Sequence, residues 1–490
     1  MDKHFQREEV ERVARQTLET TKQAQTSSQE NYSIFLPPPN VTGTLHMGHG
    51  FQQTLMDILI RYHKQQGQAT LFQPGTDHAG IATQMVVEQQ LLRENTTRSA
   101  IGRDAFMERV WGFKNTIDHK IVGQMKKMGI DANWDRLAFS MGTRCTKATM
   151  HAFKKLYQDG LIYRGTRMVN WDPKLQTALS DLEVINSQEQ GSLWHIAYDI
   201  QDSDTSLTIA TTRPETLLGD VAIAVHPEDK RYRHLIGKKA IVPICNRAIE
   251  IIGDDYVDQS FGTGCLKITP AHDFNDYEIG KRHQLEPINI FNPDATLNEQ
   301  APEAYQGLDR FVAREKLLEA LQAQGKLIKT QNHTLQLPRC ERGNTIVEPR
   351  ISMQWYLDVK KMAQAASTAV EEKQAQFVPA SYKNLFDRWM EDIQDWCISR
   401  QLWWGHRIPV FYDEDQNMYL GETEEEVRAN HKLDDKVILQ QETDVLDTWF
   451  TAALWPLSSL GWPEQTPQLE QFFPSSVLVT GFDIIFFWVA

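Results

Sequence analysis

Two imidazoles three residues apart, His46 and His49, flank Gly48 in the run Pro37-Pro-Pro-Asn40-Val-Thr-Gly-Thr-Leu-His46-Met-Gly48-His49-Gly50. Side chains at this spacing lie beside each other in the first turn of a helix. A helix N-terminus offers unpaired backbone N–H groups and a partial positive charge, and glycine lets an anion approach the backbone closely. The run therefore suits a phosphate group, with imidazole donors added for charge that grows in a transition state. A metal pair, or two solvated histidines at a helix start, would use the same residue types, and so short a motif leaves these alternatives open. A second run, Gln73-Pro-Gly-Thr-Asp77-His78-Ala-Gly80, carries one carboxylate just before a helical pattern, where Asp77 reads most simply as an N-cap.

These groups need elements to hold them. Residues 32–36 are β-branched and aromatic enough for a strand, three prolines stop it, and an amphipathic pattern from 49 to 66 predicts a helix. Residues 70–72 predict the next strand, which puts 73–80 at the carboxyl end of a parallel sheet, where ligands collect. Ahead of this unit, residues 3–25 read as a polar helix and 25–31 as a short linker. Near residue 190 helical periodicity gives way to short β-rich runs at 192–199, 206–210, 221–225, 240–244 and 265–269. After about 345, helical and tryptophan-rich sequence returns at 385–404, with strand-like runs at 437–439 and 477–480. The organisation expected is an N-terminal helical extension (1–30), two halves of one α/β domain (31–189 and 344–490), and a β-rich insertion between them (190–343).

With 490 residues the chain is too long for one ordinary core, and its 41% hydrophobic and 24% charged content excludes disordered and fibrous classes. The polar start lacks the apolar core of a secretory signal, and the apolar run at 484–490 is far short of the roughly 20 residues a bilayer span needs. A cytoplasmic protein without a membrane partner is expected. Five scattered cysteines without a C-x-x-C pair predict free thiols and no structural metal site. The net charge of −14 argues against nonspecific coating of nucleic acid. The acidity is concentrated late, however: residues 1–190 hold 23 Lys+Arg against 20 Asp+Glu, whereas 346–490 hold 11 against 23. A polyanion could still meet local basic surface in the first third. Residues 481–490 end in an apolar, aromatic stretch with no cap or polar tail, from which a longer parent protein is expected.

His46-Met-Gly-His49 resembles the His-x-Gly-His signature of the class I aminoacyl-tRNA synthetases, and the flanking Pro-Pro-Pro-Asn-Val-Thr-Gly is similar to the valine-charging branch of that family. Five further stretches, at 170–184, 211–219, 267–277, 398–409 and 444–450, resemble the same branch and follow in family order. The resemblance implies a doubly wound, Rossmann-like α/β catalytic domain split by a β-rich editing insertion. It implies ligation of valine to its tRNA through a valyl-adenylate, with ATP and Mg2+ as a substrate complex, no tightly bound cofactor, and a monomer. His46, Gly48 and His49 would bind the nucleotide phosphates, Asp77 and Asn40 the amino group of valine, and Pro37, Trp449, Ile484 and Trp488 its side chain. The editing residues implied are Thr211, Thr212, Arg213 and Thr216 in one strip and Lys267, Thr269, Asp273 and Asp276 in another. A threonyl ester needs an acid for its ammonium and polar partners for its hydroxyl; Asp276 fits the first need, Asp273 with Lys267 the second. Either aspartate alone could instead cap a helix at 277–283.

The family's second signature, a Lys-Met-Ser-Lys-Ser loop, is not in the sequence, nor is a helical anticodon-binding region. The resemblance thus runs over the N-terminal half of such a synthetase. A second expectation follows, of a chain that binds or edits tRNA without making the adenylate. A small-molecule nucleotidyltransferase could share the His-x-Gly-His loop, but it leaves the insertion without a purpose.

Overall fold

A computed structural model describes residue 6 and residues 8–13 and 30–490. The polar helix expected over 3–25 lies mostly outside the described residues; of these, 8–13 are helical. The chain divides into two compact units, Met1–Tyr163 with Trp355–Ala490, and Arg164–Gln354.

In the first unit Asn31–Phe35 pairs in parallel with Ala69–Gln73, residue against residue from Asn31↔Ala69 to Phe35↔Gln73, and the helix Met47–Gln65 connects them. A parallel bridge Ile34↔Val477 adds the late chain on one side, and Gly75–Thr76 pairs in parallel with Ala138–Phe139 on the other. Side chains alternate across the strand Asn31–Phe35 and are buried on both faces. Tyr32 and Ile34 join Met56 and Ile60 of the connecting helix and Ile117, Ile121 and Met125 of the helix Arg103–Lys127. Phe35 and Leu71 face Trp455, Leu460 and Leu469. Two covered faces are the mark of an α/β doubly wound sheet, as expected.

Gly75 shows how tightly the second face is packed. A Cβ there would stand 2.1 Å from the Trp455 ring and 2.8 Å from the Ala138 carbonyl. Gly75→Ala is expected to lower stability by about 1–3 kcal/mol through overpacking, read as a fall in the denaturant midpoint.

Two late expectations are corrected. The helix expected in 385–404 is confined to Lys383–Glu391, after which Trp396–Cys397 and Ser399–Arg400 are short strands. Tryptophan in that stretch serves packing, since Trp404 is fully buried against Val87, Leu91, Phe106 and Val110. The strand expected at 437–439 is absent and pairing begins at Gln440–Gln441, against Val410–Tyr412. At 477–480 only Val477 makes a bridge.

The second unit is built on a seven-stranded sheet. Cys265–Ile268, Ala222–Val225, Ala248–Gly253, Lys239–Ile241, Val184–Ile200 and Leu327–Cys340 follow in that order, with Ser206–Thr211 also paired to Val184–Ile200. Its apolar core runs from Ile196 and Tyr198 through Ile223 and Ile251 to Leu317 and Leu321 of the helix Arg310–Ala323. The chain enters this unit within the strand Ile162–Asp172 and leaves it within Glu348–Leu357, so residues 164–189 and 344–354 go with the β-rich unit. The long pairing of Val184–Ile200 with Leu327–Cys340 draws them in, from Cys340↔Val184 to Leu327↔Ile196. That pairing joins residues far apart in sequence, and the local texture changes only near 190.

Candidate functional site

His46 is the N-cap of the helix Met47–Gln65, and both imidazoles are used to cap it. Nδ1 of His46 accepts the Gly48 N–H at 3.1 Å, and Nδ1 of His49 accepts the His46 N–H at 3.3 Å. An imidazole accepting through Nδ1 carries its proton on Nε2. The capping therefore fixes one tautomer in each ring and leaves two Nε2–H donors, on rings whose centroids are 3.9 Å apart. Burial, then the neighbouring His46, lowers the proton affinity of His49, which favours a neutral donor. Gly48 leaves the His46 ring its place, since a Cβ there would lie 3.0 Å from the ring, a tight contact. The result is a pair of aimed donors at the positive end of a 19-residue helix.

The loop of Asp77 is knitted to the same strand end. Asp77 N–H donates to the Pro39 carbonyl at 2.9 Å and Val41 N–H to the Asp77 carbonyl at 3.0 Å, so Asn40 and Asp77 face each other in a parallel bridge. Asp77 is not an N-cap: the helix Gly80–Arg93 starts after Ala79, without a side-chain cap. Its Oδ2 instead accepts the Ala79 N–H at 3.2 Å, and its Oδ1 lies 3.2 Å from Nδ1 of the buried His78. The turn that follows has φ of 53° at Ala79, and Gly80 presses on Thr448, where a Cβ would come within 2.4 Å of Oγ1. Thr448 immediately precedes Trp449, the candidate apolar wall. Trp449 stacks on Phe487 at 4.6 Å and meets Trp488 edge-on at 6.3 Å. Pro37 and Ile484 are half-buried. The indole N–H of Trp488 is buried, with no acceptor among the described residues.

Behind Asp77 lies a polar group that the sequence analysis did not single out. His78 is fully buried, with Nδ1 2.7 Å from Ser140 Oγ, and its ring meets His406 at 5.4 Å. His406 lies between the hydroxyls of Thr146 and Thr451, each 3.1 Å from a ring nitrogen, and burial keeps it neutral, well below the usual histidine range.

The second candidate cluster lies wholly in the β-rich unit. Lys267, on the strand Cys265–Ile268, donates to Thr216 Oγ1 at 2.8 Å, to Asp220 Oδ1 at 3.1 Å, and to Thr269 Oγ1. Asp276 Oδ2 accepts the Thr269 backbone N–H at 2.8 Å. Burial, then the charge of Asp273, raises the Asp276 carboxyl to about 7, against the pull of Lys267 and the Thr269 N–H. Asp273 itself is the N-cap of the helix Phe274–Arg282, accepting from the backbone of Asn275 at 2.8 Å and Asp276 at 3.1 Å. The helix thus starts earlier than the 277–283 expected, and capping describes Asp273 but not Asp276.

Two members of the other strip make well-defined local bonds. Thr211 Oγ1 accepts the Arg213 backbone N–H at 3.0 Å. The Arg213 guanidinium donates to Glu348 at 2.6 Å, Glu215 at 3.2 Å and the His272 carbonyl at 3.0 Å. These bonds fix the guanidinium in its loop, and Thr212 beside it is half-buried. Asp220, fully buried, was missed; it directly follows the 211–219 stretch, and a carboxylate after glycine is no signal by itself.

The family model described as tRNA synthetases class I (I, L, M and V) matches residues 13–490. The valine--tRNA ligase of Legionella pneumophila (strain Paris) is 54% identical over 491 residues, covering 100% of this chain and 53% of that protein. Those of Francisella tularensis and Coxiella burnetii are 55% and 56% identical, covering 100% and 94% of this chain and 54% and 50% of their own lengths. The chain spans about half the length of the curated relatives it matches. Among solved structures, a ternary complex of Agrobacterium radiobacter K84 agnB2 LeuRS with tRNA and LeuAMS aligns with TM-score 0.48 at 17% identity, over 98% of this chain and 64% of that one. Mycobacterium tuberculosis methionyl-tRNA synthetase bound by methionyl-adenylate aligns with TM-score 0.47 at 10% identity, over 94% and 53%.

Proposed function

Because the chain belongs to the class I tRNA synthetases (I, L, M and V), we propose that it serves the ATP-dependent attachment of valine to its tRNA and the hydrolytic removal of threonine attached in error. The observation that carries the first part is the coupling of two sites at one strand end. The Asp77 backbone pairs with Pro39 and Val41, in the same loop that runs on to the imidazole donors of His46 and His49 at the helix start.

In the reaction proposed, a valine carboxylate oxygen attacks the α-phosphate of ATP, supplied as its Mg2+ complex, and pyrophosphate leaves. A ribose hydroxyl at the tRNA end then attacks the activated carbonyl, and AMP leaves. The Nε2–H groups of His46 and His49 hold the phosphate oxygens as their charge rises, so that catalysis rests on positioning and electrostatics. Gly48 leaves room for the nucleotide. Asp77 and Asn40 hold the substrate ammonium, and Pro37, Trp449, Ile484 and Trp488 enclose the branched side chain. The protein acts as a cytoplasmic monomer; among its described residues, no helix is long and apolar enough to cross a membrane.

Such a pocket discriminates poorly against a hydroxyl. The valine-charging enzymes are themselves the standard case of this limit, threonine being rejected by only about 10²-fold. A second site must therefore correct the product, and the cluster of Thr216, Lys267, Thr269 and Asp276 supports hydrolysis there, with Asp273 setting the helix start beside it.

Valine-dependent exchange of pyrophosphate into ATP tests the synthetic half, and deacylation of threonyl-tRNA carrying the valine acceptor tests the other. Hydrolysis without exchange would favour the second reading, a chain that edits or binds tRNA without making the adenylate. That reading draws support from the separate core of the β-rich unit. Asp77→Asn is expected to weaken valine binding by about 1.5–3 kcal/mol, the worth of a charged hydrogen bond. An unchanged valine Kd by calorimetry would leave Asp77 with only its turn-forming bond to Ala79.

A further inference from the structure

Arg400 and Asp447 form an ion pair sealed from solvent, their side chains 2% and 3% exposed. The guanidinium is rooted in its own stretch of chain: Nη1 donates to the carbonyls of Cys397 and Ser399 at 2.9 Å each, and Nη2 donates to Asp447 Oδ2. Trp396 adds its indole N–H to the same oxygen at 3.3 Å. The short strands Ser399–Arg400 and Val445–Leu446 pair antiparallel beside it, Arg400 against Val445, and the Asp447 N–H donates to the Ile398 carbonyl at 2.8 Å.

The other carboxylate oxygen has a different task. Oδ1 accepts the Trp449 N–H at 2.9 Å, which makes Asp447 the N-cap of the helix Thr448–Ala453. A carboxylate is planar and rigid, so anchoring Oδ2 sets the place of Oδ1 and with it the first turn of this helix. Trp449 in that turn stacks on Phe487 and meets Trp488 edge-on. Serine, threonine or asparagine would cap the helix as well. A buried ion pair, for its part, contributes little net stability against an apolar pair of equal volume, because desolvation offsets the Coulomb attraction. Neither capping nor stability accounts for the arginine. Placement does: its fork holds two carbonyls with one nitrogen and the carboxylate with the other, which a flexible ammonium cannot reproduce.

We propose that the Arg400–Asp447 pair positions Trp449 and thereby sets the size limit of the valine side-chain pocket. The proposal rests on the reading of Trp449 as a wall of that pocket. Arg400 and Asp447 touch no substrate in this role; they act through the first turn of the helix Thr448–Ala453. Isoleucine exceeds valine by one methylene and is rejected by overpacking against a wall that does not yield. Threonine has the shape of valine, so its rejection is indifferent to how firmly the wall is held.

The test is pyrophosphate exchange by the complete enzyme carrying Arg400→Met with Asp447→Ser. Serine keeps the cap, and no buried charge is left unpaired. The ratio of kcat/KM for valine over isoleucine should fall by about tenfold, within the range that one methylene is worth in an apolar pocket, while the ratio of valine over threonine stays within about threefold of wild type. Each ratio is independent of how much enzyme is folded, so a loss of stability alone moves neither. A valine-over-isoleucine ratio within about threefold of wild type, or equal falls in both ratios, would overturn the proposal.

If the double variant does not fold, Arg400→Lys decides. It keeps the charge and loses the fork, so the isoleucine ratio should fall while the threonine ratio holds, and an unmoved isoleucine ratio overturns the proposal. Failure of the valine reading shows separately, as no valine-dependent exchange by the wild-type enzyme. The positioning of Trp449 then remains readable in this chain with fluorine-labelled tryptophan. The Trp449 resonance, assigned by its loss in Trp449→Phe, should be shifted or broadened by Arg400→Lys, and an unchanged resonance overturns the proposal.

Discussion

Replacing both His46 and His49 by Ala is expected to slow valine-dependent pyrophosphate exchange in the complete enzyme by about 10²–10³-fold, the usual cost of removing a preorganised donor from a developing charge, while leaving valine affinity nearly intact. The geometry explains the split. The donors lie at the start of the helix Met47–Gln65, with their Nδ1 atoms occupied by the backbone and their Nε2–H groups free. Valine would be held at the other side of the loop, by Asp77 and Asn40. An interaction made only as phosphate charge grows lowers the chemical step and leaves ground-state binding alone. One confounding effect is local: His46 is also the N-cap, and losing a cap costs about 0.5–2 kcal/mol of stability. His46→Asn separates the two, because asparagine caps well but has no donor at the Nε2 position. It should restore stability and not rate. An exchange rate within a few-fold of wild type in the double alanine variant would remove the phosphate role from both residues.

Asp276→Asn is expected to abolish, or reduce by orders of magnitude, the hydrolysis of threonyl-tRNA while leaving valine charging untouched. The carboxylate is the proposed counter-charge for the substrate ammonium, and an amide of the same shape cannot supply it. The same substitution carries a stability signature of opposite sign. The Asp276 carboxyl is raised to about 7 in the folded chain, above an unfolded value of about 3.9. A group raised in this way stabilises the fold fully below its unfolded pKa, and that contribution is lost as pH rises from about 4 through about 7. At pH 8 the wild type therefore carries an ionised carboxylate in a buried place, and Asp276→Asn relieves it. Thermal melts should show the variant gaining on wild type at pH 8 and gaining less at pH 5. Loss of hydrolysis together with gain of stability is the pattern of a site residue held at a cost. Hydrolysis at the wild-type rate would make Asp276 merely the acceptor for the Thr269 N–H.

What could be read from the chain alone was what neighbouring residues decide. The strand around Ile34, the helix that follows it and the paired histidines at its start are all specified within about 35 residues. Alternation sets the strand, a 3.6-residue period sets the helix, and a cap needs only the residues next to it. Asp273 as a cap was legible for the same reason, as were the short β-runs at 206–210 and 265–269. Family-level resemblance supplied the roles proposed for Trp449 and Trp488, which composition could not, because a tryptophan lining a pocket and one filling a core look alike in a chain with 13 of them. Trp355, Trp404 and Trp455 are fully buried core residues.

Tertiary structure decided the rest, where partners are distant in sequence and the register of a sheet selects them. Lys267 meets Asp220 across 47 positions, and Arg213 meets Glu348 across 135. No local pattern marks either pairing, yet the first defines the charge of the candidate hydrolytic cluster and the second fixes the Arg213 guanidinium in its loop. The limits of the β-rich unit were set likewise by the long pairing of Val184–Ile200 with Leu327–Cys340. Thr448, hundreds of residues later, lies close against Gly80 beside the turn of Asp77. Local sequence supplies the groups that do chemistry, because each is a residue type at a short spacing. Which of them stay free to do it depends on the long-range contacts that satisfy buried charge, and only the folded chain brings those into being.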